Sequence, residues 1–176
     1  MSTLIVVSAL GKDRPGIVNE LSKAVLEAGG NIEDSRMSVL GGEFALMMLA
    51  SGSPSAVDNI ERDLAPLQSK LALTIIAKRT EPRTAQAAGR PYSVNVVAMD
   101  HPGIVHQVSQ FFSNKHINVE EMDTNAYAAP HTGTRMFSMD MTISVPGSVA
   151  IAALREEFSA FCDSLNLDSN IEPRAN

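Results

Sequence analysis

Hydrophobic and polar positions follow one pattern that is laid down twice along the chain. Residues 4–10 are apolar and rich in β-branched side chains, which predicts a strand. After a turn over 11–14, Ile17, Val18, Leu21, Val25 and Ala28 recur at helical spacing. Pro15 reads as the first helical residue, because its missing N–H costs nothing there. Gly29-Gly30 is expected to end the helix, since glycine accepts the left-handed conformation. Residues 32–40 and 44–50 read as two strands joined at Gly41-Gly42. Ser53-Pro54 opens a second helix that carries Val57, Ile60, Leu64 and Leu67 on one face, and 71–77 is the closing strand.

The second half repeats this order. Residues 94–99 predict a strand, and Ile104, Val105, Val108, Phe111 and Phe112 form a helical stripe. Two strands follow over 119–125 and 136–145. Val149, Leu154, Phe158, Phe161 and Leu165 line a second helix, and a weaker strand spans 167–173. The repeat is also literal. Asp13-Arg14-Pro15-Gly16-Ile17-Val18 returns 87 residues later as Asp100-His101-Pro102-Gly103-Ile104-Val105. At the same offset Asn31-Ile32-Glu33-Asp34 returns as Asn118-Val119-Glu120-Glu121. Phe44 then corresponds to Phe137, six residues late, and the surplus in 126–135 contains Pro130 and Gly133, which predicts a longer hairpin loop. A β-α-β-β-α-β order made twice implies an α+β protein of two ferredoxin-like βαββαβ sandwiches in tandem, over residues 1–80 and 92–174, with a linker at 81–91.

Each sandwich carries both helices on one sheet face, which leaves the other face to be explained. In the second copy Phe137, Met139, Met141, Ile143 and Val145 alternate with Ser138, Asp140, Thr142 and Ser144, so one face is wet. In the first copy the matching run, Phe44-Ala45-Leu46-Met47-Met48-Leu49, is apolar on both faces. The helix-free face of copy one is therefore expected to be covered and to be the drier of the two.

Composition narrows the function. Aromatics make up 5% of the 176 residues and Trp is absent, so the core is expected to be aliphatic and Met-rich. Fourteen Lys and Arg against twenty Asp and Glu give a formal charge of −6, which opposes contact with phosphate backbones; no reading helix is apparent, so no direct nucleic-acid binding is expected. The N-terminal apolar run is too short for a signal or membrane segment, and the one cysteine, Cys162, permits no internal disulfide. The expectation is a cytoplasmic protein without membrane contact. Cys162 reads as buried packing. His101, His106, His116 and His131 have no metal-site spacing, and no nucleotide or nucleophile-elbow motif occurs, so neither metal, cofactor nor catalytic residues are expected.

The repeated loop after the first strand of each copy holds the candidate chemistry. A helix N-terminus offers unpaired N–H groups and the positive end of the dipole, a ready carboxylate site. Gly16 and Gly103 take away a Cβ beside that backbone. Asp13 and Asp100 can hold an ammonium group, and Asn31 and Asn118 offer one acceptor and two donors each. The set suits a small zwitterion. The same residues also have a plain structural reading, with Asp and Asn capping helix ends at about 1 kcal/mol each.

The motif Asp-x-Pro-Gly-Ile-Val, followed beyond a helix by Asn-Ile or Asn-Val, resembles the ACT domain family in both copies. That resemblance implies an amino-acid effector held at a contact between two domains, with Asp13, Gly16, Ile17 and Asn31, and Asp100, Gly103, Ile104 and Asn118, as the ligand-binding positions. It does not extend to serine-type members, whose histidine two residues before the acid is replaced here by Gly11 and Ala98. It implies a non-enzymatic, oligomeric regulator that takes glycine or a similar amino acid and modulates transcription of amino-acid metabolism through a regulatory protein partner. Two alternatives stand beside it: a ligand-free assembly module, and the regulatory subunit of an amino-acid-metabolising enzyme.

Overall fold

The computed structural model describes residues 2–82 and 89–174. The chain divides into two compact units, Met1–Pro82 and Arg83–Asn176. Six residues of the expected linker, 83–88, lie outside the described residues, and the rest of it is partly strand.

Unit 1 runs β1 (Thr3–Lys12), α1 (Ile17–Glu27), β2 (Asn31–Leu40), β3 (Glu43–Gly52), α2 (Pro54–Leu71) and β4 (Leu73–Thr80). Unit 2 runs β5 (Arg90–Met99), α3 (Ile104–Asn114), β6 (Asn118–Ala128), β7 (Arg135–Val145), α4 (Ile151–Ser164) and β8 (Asp168–Pro173). Each forms a four-stranded antiparallel sheet, in the orders β2-β3-β1-β4 and β6-β7-β5-β8. This is the βαββαβ, ferredoxin-like α+β architecture, made twice.

The pleat sorts side chains by parity. Ile5, Val7 and Ala9 of β1 and Phe44, Leu46, Met48 and Ala50 of β3 are buried beneath Leu21 and Val25 of α1 and Val57, Ile60 and Leu64 of α2. Ser53 starts α2 as expected: its hydroxyl accepts the Ala56 N–H at 3.1 Å and Pro54 follows it. Gly29 stands at φ +84°, where the α1 helix stops. The longer loop of unit 2 falls where the surplus residues lie. Its register bears out the six-residue shift, since Gly11 pairs with Phe44 and Ala98 with Phe137.

Three local expectations are corrected. Pro15 lies in the turn, not in the helix, because Gly16 takes φ +95° and becomes the N-cap. Val18 and Val105 are exposed: they follow the helical spacing but fall on its outer shoulder. The core of unit 2 is not simply aliphatic, since Phe111, Phe112, Phe158 and Phe161 form one aromatic cluster.

The expectation about the sheet faces is reversed within the chain. On the helix-free face of unit 1, Met47 is 56% exposed and Ile76 65% exposed. In unit 2 the outward Thr142 and Ser144 are buried instead. Arg174 reaches over them, donating to the Glu121 carboxylate at 2.7 Å and to the Thr142 hydroxyl, and Gly89 lies against Ser144.

Candidate functional site

The loop after the first strand has the same backbone in both units. Gly16 and Gly103 are the helix N-caps at φ +95° and +98°, and neither α1 nor α3 receives a side-chain cap. A Cβ at either glycine would meet nothing within 4 Å, so the backbone conformation calls for glycine there, not the space around it. The ladder begins with Glu20 N–H on the Gly16 carbonyl at 3.0 Å and Gln107 N–H on the Gly103 carbonyl at 2.9 Å. The N–H groups of the first turn come before it and point out of the helix end. Ile17 and Ile104 lie there with their side chains buried in the core, which leaves their backbone, not their side chains, for a ligand.

The capping role for the acids is therefore not the one the structure takes. Asp13 is exposed, and its N–H bonds the Gly42 carbonyl at 3.0 Å, which ties the loop to the β2–β3 turn. Asp100 makes the same tie to Arg135 at 2.9 Å. In unit 2 the carboxylate is also engaged, since Arg135 Nε lies 2.5 Å from Asp100 Oδ2. Gly42 occupies the matching place in unit 1, so the two acids differ in charge environment.

Asn31 and Asn118 begin β2 and β6. Neither helix end is closed by its Asn. Gly30 N–H bonds Val25 O at 2.9 Å and Ile117 N–H bonds Phe112 O at 3.0 Å. The Asn31 amide donates at 3.2 Å to the Glu33 carboxylate, which also accepts from the Ser51 hydroxyl. These bonds, Ser51 first, hold the Glu33 carboxyl below the usual glutamate range. Glu33 and Glu120 each sit at a β-bulge, between Ile32 and Asp34 and between Val119 and Glu121. A bulge re-aims one side chain out of the pleat, a device common beside binding sites. Both glutamates belong to the repeated segment, and only the sheet register sets them apart from their neighbours.

Beside Asn118 an open groove of about 500 Å³ is lined by Ser109, Ser113, His116 and Val119. His116 stands at φ +55°, the position that Gly29 fills in unit 1. A left-handed histidine where the repeat has glycine was legible in the sequence as a mismatch between the copies.

Within one unit the Asp and Asn do not meet. Asp13 bonds across to Gly42 and Asn31 pairs with Ser51, nine positions further along β3, or roughly 30 Å at strand rise. In unit 2 the marks are Arg135 and Ser144, the same nine positions apart. The residues share a unit but lie at opposite ends of its sheet, so no small zwitterion spans both. The Gly11 departure from the serine-type pattern also has a steric cause in unit 1: a Cβ there would lie 2.7 Å from Leu73 Cδ2.

Known proteins agree with this architecture. The ACT domain family model matches residues 3–78. The glycine cleavage system transcriptional repressor of Escherichia coli strain K12 is 35% identical over 167 residues, 95% of this chain and 88% of that protein. The UPF0237 protein MJ1558 of Methanocaldococcus jannaschii is 32% identical over 79 residues, covering 44% of this chain and 88% of that protein. Among solved structures, a chain of unknown role from Galdieria sulphuraria superposes with a TM-score of 0.85 at 28% identity, over 99% of this chain and all of that one. A crystal structure ascribed to a glycine cleavage system transcriptional repressor gives 0.75 at 32% identity, over 100% and 99%. The chain thus belongs to the glycine cleavage system transcriptional repressor family, built from two ACT-type units.

Proposed function

We propose that the chain is an amino-acid-responsive regulator whose effector is glycine or a similarly small amino acid. One observation carries this reading: both units build the same uncapped helix N-terminus beside an Asp and, at the far end of the sheet, the same Asn set next to a bulged Glu. Elements so far apart serve one small ligand only when the Asp loop of one ACT unit faces the Asn end of another. We assign the second unit to a neighbouring copy of the chain. The helix end takes the carboxylate, and Asn31 with Glu33 takes the ammonium group. The role of the curated relatives favours an output in transcription of glycine metabolism. With a formal charge of −6, that output runs through a protein partner and not through direct contact with DNA.

Calorimetry with glycine tests the reading. Wild type is expected to bind, and Asn31→Ala and Asn118→Ala to lose about 1.5–3 kcal/mol of affinity each, tenfold or more, with melting curves little changed. Equal affinity in both variants removes the Asn half of the site. A wild type that binds none of the small amino acids leaves the assembly-module reading, which the open apolar face of unit 1 favours.

A further inference from the structure

β4 is the outer strand of the unit 1 sheet and pairs with β1 alone. In an antiparallel edge strand every second residue turns its N–H and C=O away from the sheet. Gln68 shows which residues these are in β4, since its side-chain oxygen accepts the Ile75 N–H at 2.8 Å. By that parity Ala77 and Arg79 also point outward. Their N–H and C=O groups, with the Ile75 C=O, form a row along the edge. Beside the row a groove of about 400 Å³ lies between α2 and β4, with Leu64, Ala65, Ile75 and Ala77 as its apolar lining. Ile75 and Ala77 pack against the core but are only partly buried, as befits the margin of a sheet.

The groove recurs in unit 2, lined there by Arg155, Phe158 and Ser159, but the edge beside it is blunted. Ile5 pairs with Arg79 and Tyr92 with Pro173, so β8 ends in a proline, which has no N–H, where β4 has Arg79. Arg155 also reaches from α4 and donates through Nε to the Ile171 carbonyl at 2.9 Å, at the place of Ala77. A proline or a charged side chain at the edge is an ordinary way to close a sheet to a further strand. In unit 1 Glu61 stands at the place of Arg155, and it is turned to the Arg79 side chain together with Asp58.

We propose that the β4 edge docks an extended segment of a protein partner, added antiparallel as a further strand. The edge itself specifies the segment. The residue opposite Ala77 points its side chain into the groove, which takes an aliphatic one. Its two neighbours point to the helix-free face. The one opposite Ile76, which is 65% exposed, is apolar. The one opposite Lys78 is acidic, because Lys78 is exposed and forms no ion pair among the described residues. From N to C the segment reads acid, aliphatic, apolar. A second copy of β4 fits less well. Paired about Ala77, it needs the Ile75 N–H that Gln68 already holds, and it sets the two Lys78 side chains diagonally across from each other. The docking gives the protein-partner output proposed above a place of contact, and rests on that reading for its role.

The probe is a capped peptide, acetyl-Thr-Thr-Glu-Leu-Val-Thr-amide, titrated into the full chain with no amino acid present, so that a failed effector site leaves the result untouched. In nuclear magnetic resonance spectra the Ala77 and Arg79 amide protons are expected to move downfield and saturate, while the Ile75 amide, already bonded to Gln68, moves least. N-methylation of the peptide's leucine removes the N–H that meets the Ala77 carbonyl and should weaken binding about fivefold. Lys78→Glu should weaken it about threefold, and a peptide with lysine in place of glutamate should restore it. The absence of saturable shifts at Ala77 and Arg79 overturns the site, and so does equal binding of the N-methylated peptide. Equal affinity of Lys78→Glu for the two charged peptides removes the acid from the recognised segment. Protection of the same amides from solvent exchange in the chain alone, growing with protein concentration, assigns the edge to a second copy and overturns the peptide.

Discussion

On the helix-free face of unit 1, Val6, Met47, Leu49 and Ile76 surround Ser8, which pairs with both Met47 and Ile76, across β3, β1 and β4. Arg36 and Lys78 lie at its margins. The matching positions in unit 2 are Ser93, Asp140, Thr142 and Asn170, with Asp123 and Glu172 at the margins. The strands correspond position by position, yet one face is mainly apolar and rimmed by cations while the other is polar and rimmed by acids. The inner positions have stayed buried and mainly apolar: Ile5, Val7 and Ala9 match Tyr92, Val94 and Val96. A sandwich of this kind needs one dry face per sheet, and burying it supplies about 25 cal/mol per Å² of apolar surface. The other face is free to take on the chemistry of whatever it meets.

The comparison can be broken most forcefully from the inner side. Phe158→Ala in unit 2 is expected to cost about 3–5 kcal/mol, and Leu64→Ala, its counterpart in unit 1, about 2–5 kcal/mol, read from denaturant midpoints. A cost near zero at either position would mean that the inner face is not what holds that unit together.

A smaller effect separates the units at the end of their first helices. Gly29→His should destabilise by about 1–2 kcal/mol, because a side chain is disfavoured at φ +84°. The reciprocal His116→Gly should gain less, since the added glycine entropy in the unfolded chain, about 0.4–1 kcal/mol, offsets the relief. If His116→Gly lowers stability, the histidine makes contacts worth more than its strain. If it also alters glycine affinity, His116 belongs to the effector site.

The smallest change is expected at Met47. In a chain whose unit 1 face is open, Met47→Lys should shift stability by less than about 0.5 kcal/mol. A larger loss that grows with protein concentration in wild type relative to the variant would show that another copy covers this face. It would sharpen the contrast with unit 2, where Arg174 and Glu121 already lie over Thr142.

Sequence alone determined the tandem repeat, the order of elements and the inner face of each sheet. These follow from local periodicity and from turn residues such as Gly41-Gly42 and Ser53-Pro54, which act within a few positions of themselves. It also marked Asp13, Gly16 and Asn31 with their counterparts as special. Tertiary structure alone decided how those residues relate. Asp13 and Asn31 are eighteen residues apart in sequence, but a helix and a reversal of chain direction put them at opposite ends of one sheet. Pairing across strands decided that Gly11 has no room for a side chain, because Leu73 comes from the far end of the unit. Pairing also brought Ser51 to Glu33 and Arg135 to Asp100, contacts that no local pattern encodes. Periodicity records whether a residue is buried. Which residues become neighbours depends on strand order and register, and these are fixed only when the sheet closes.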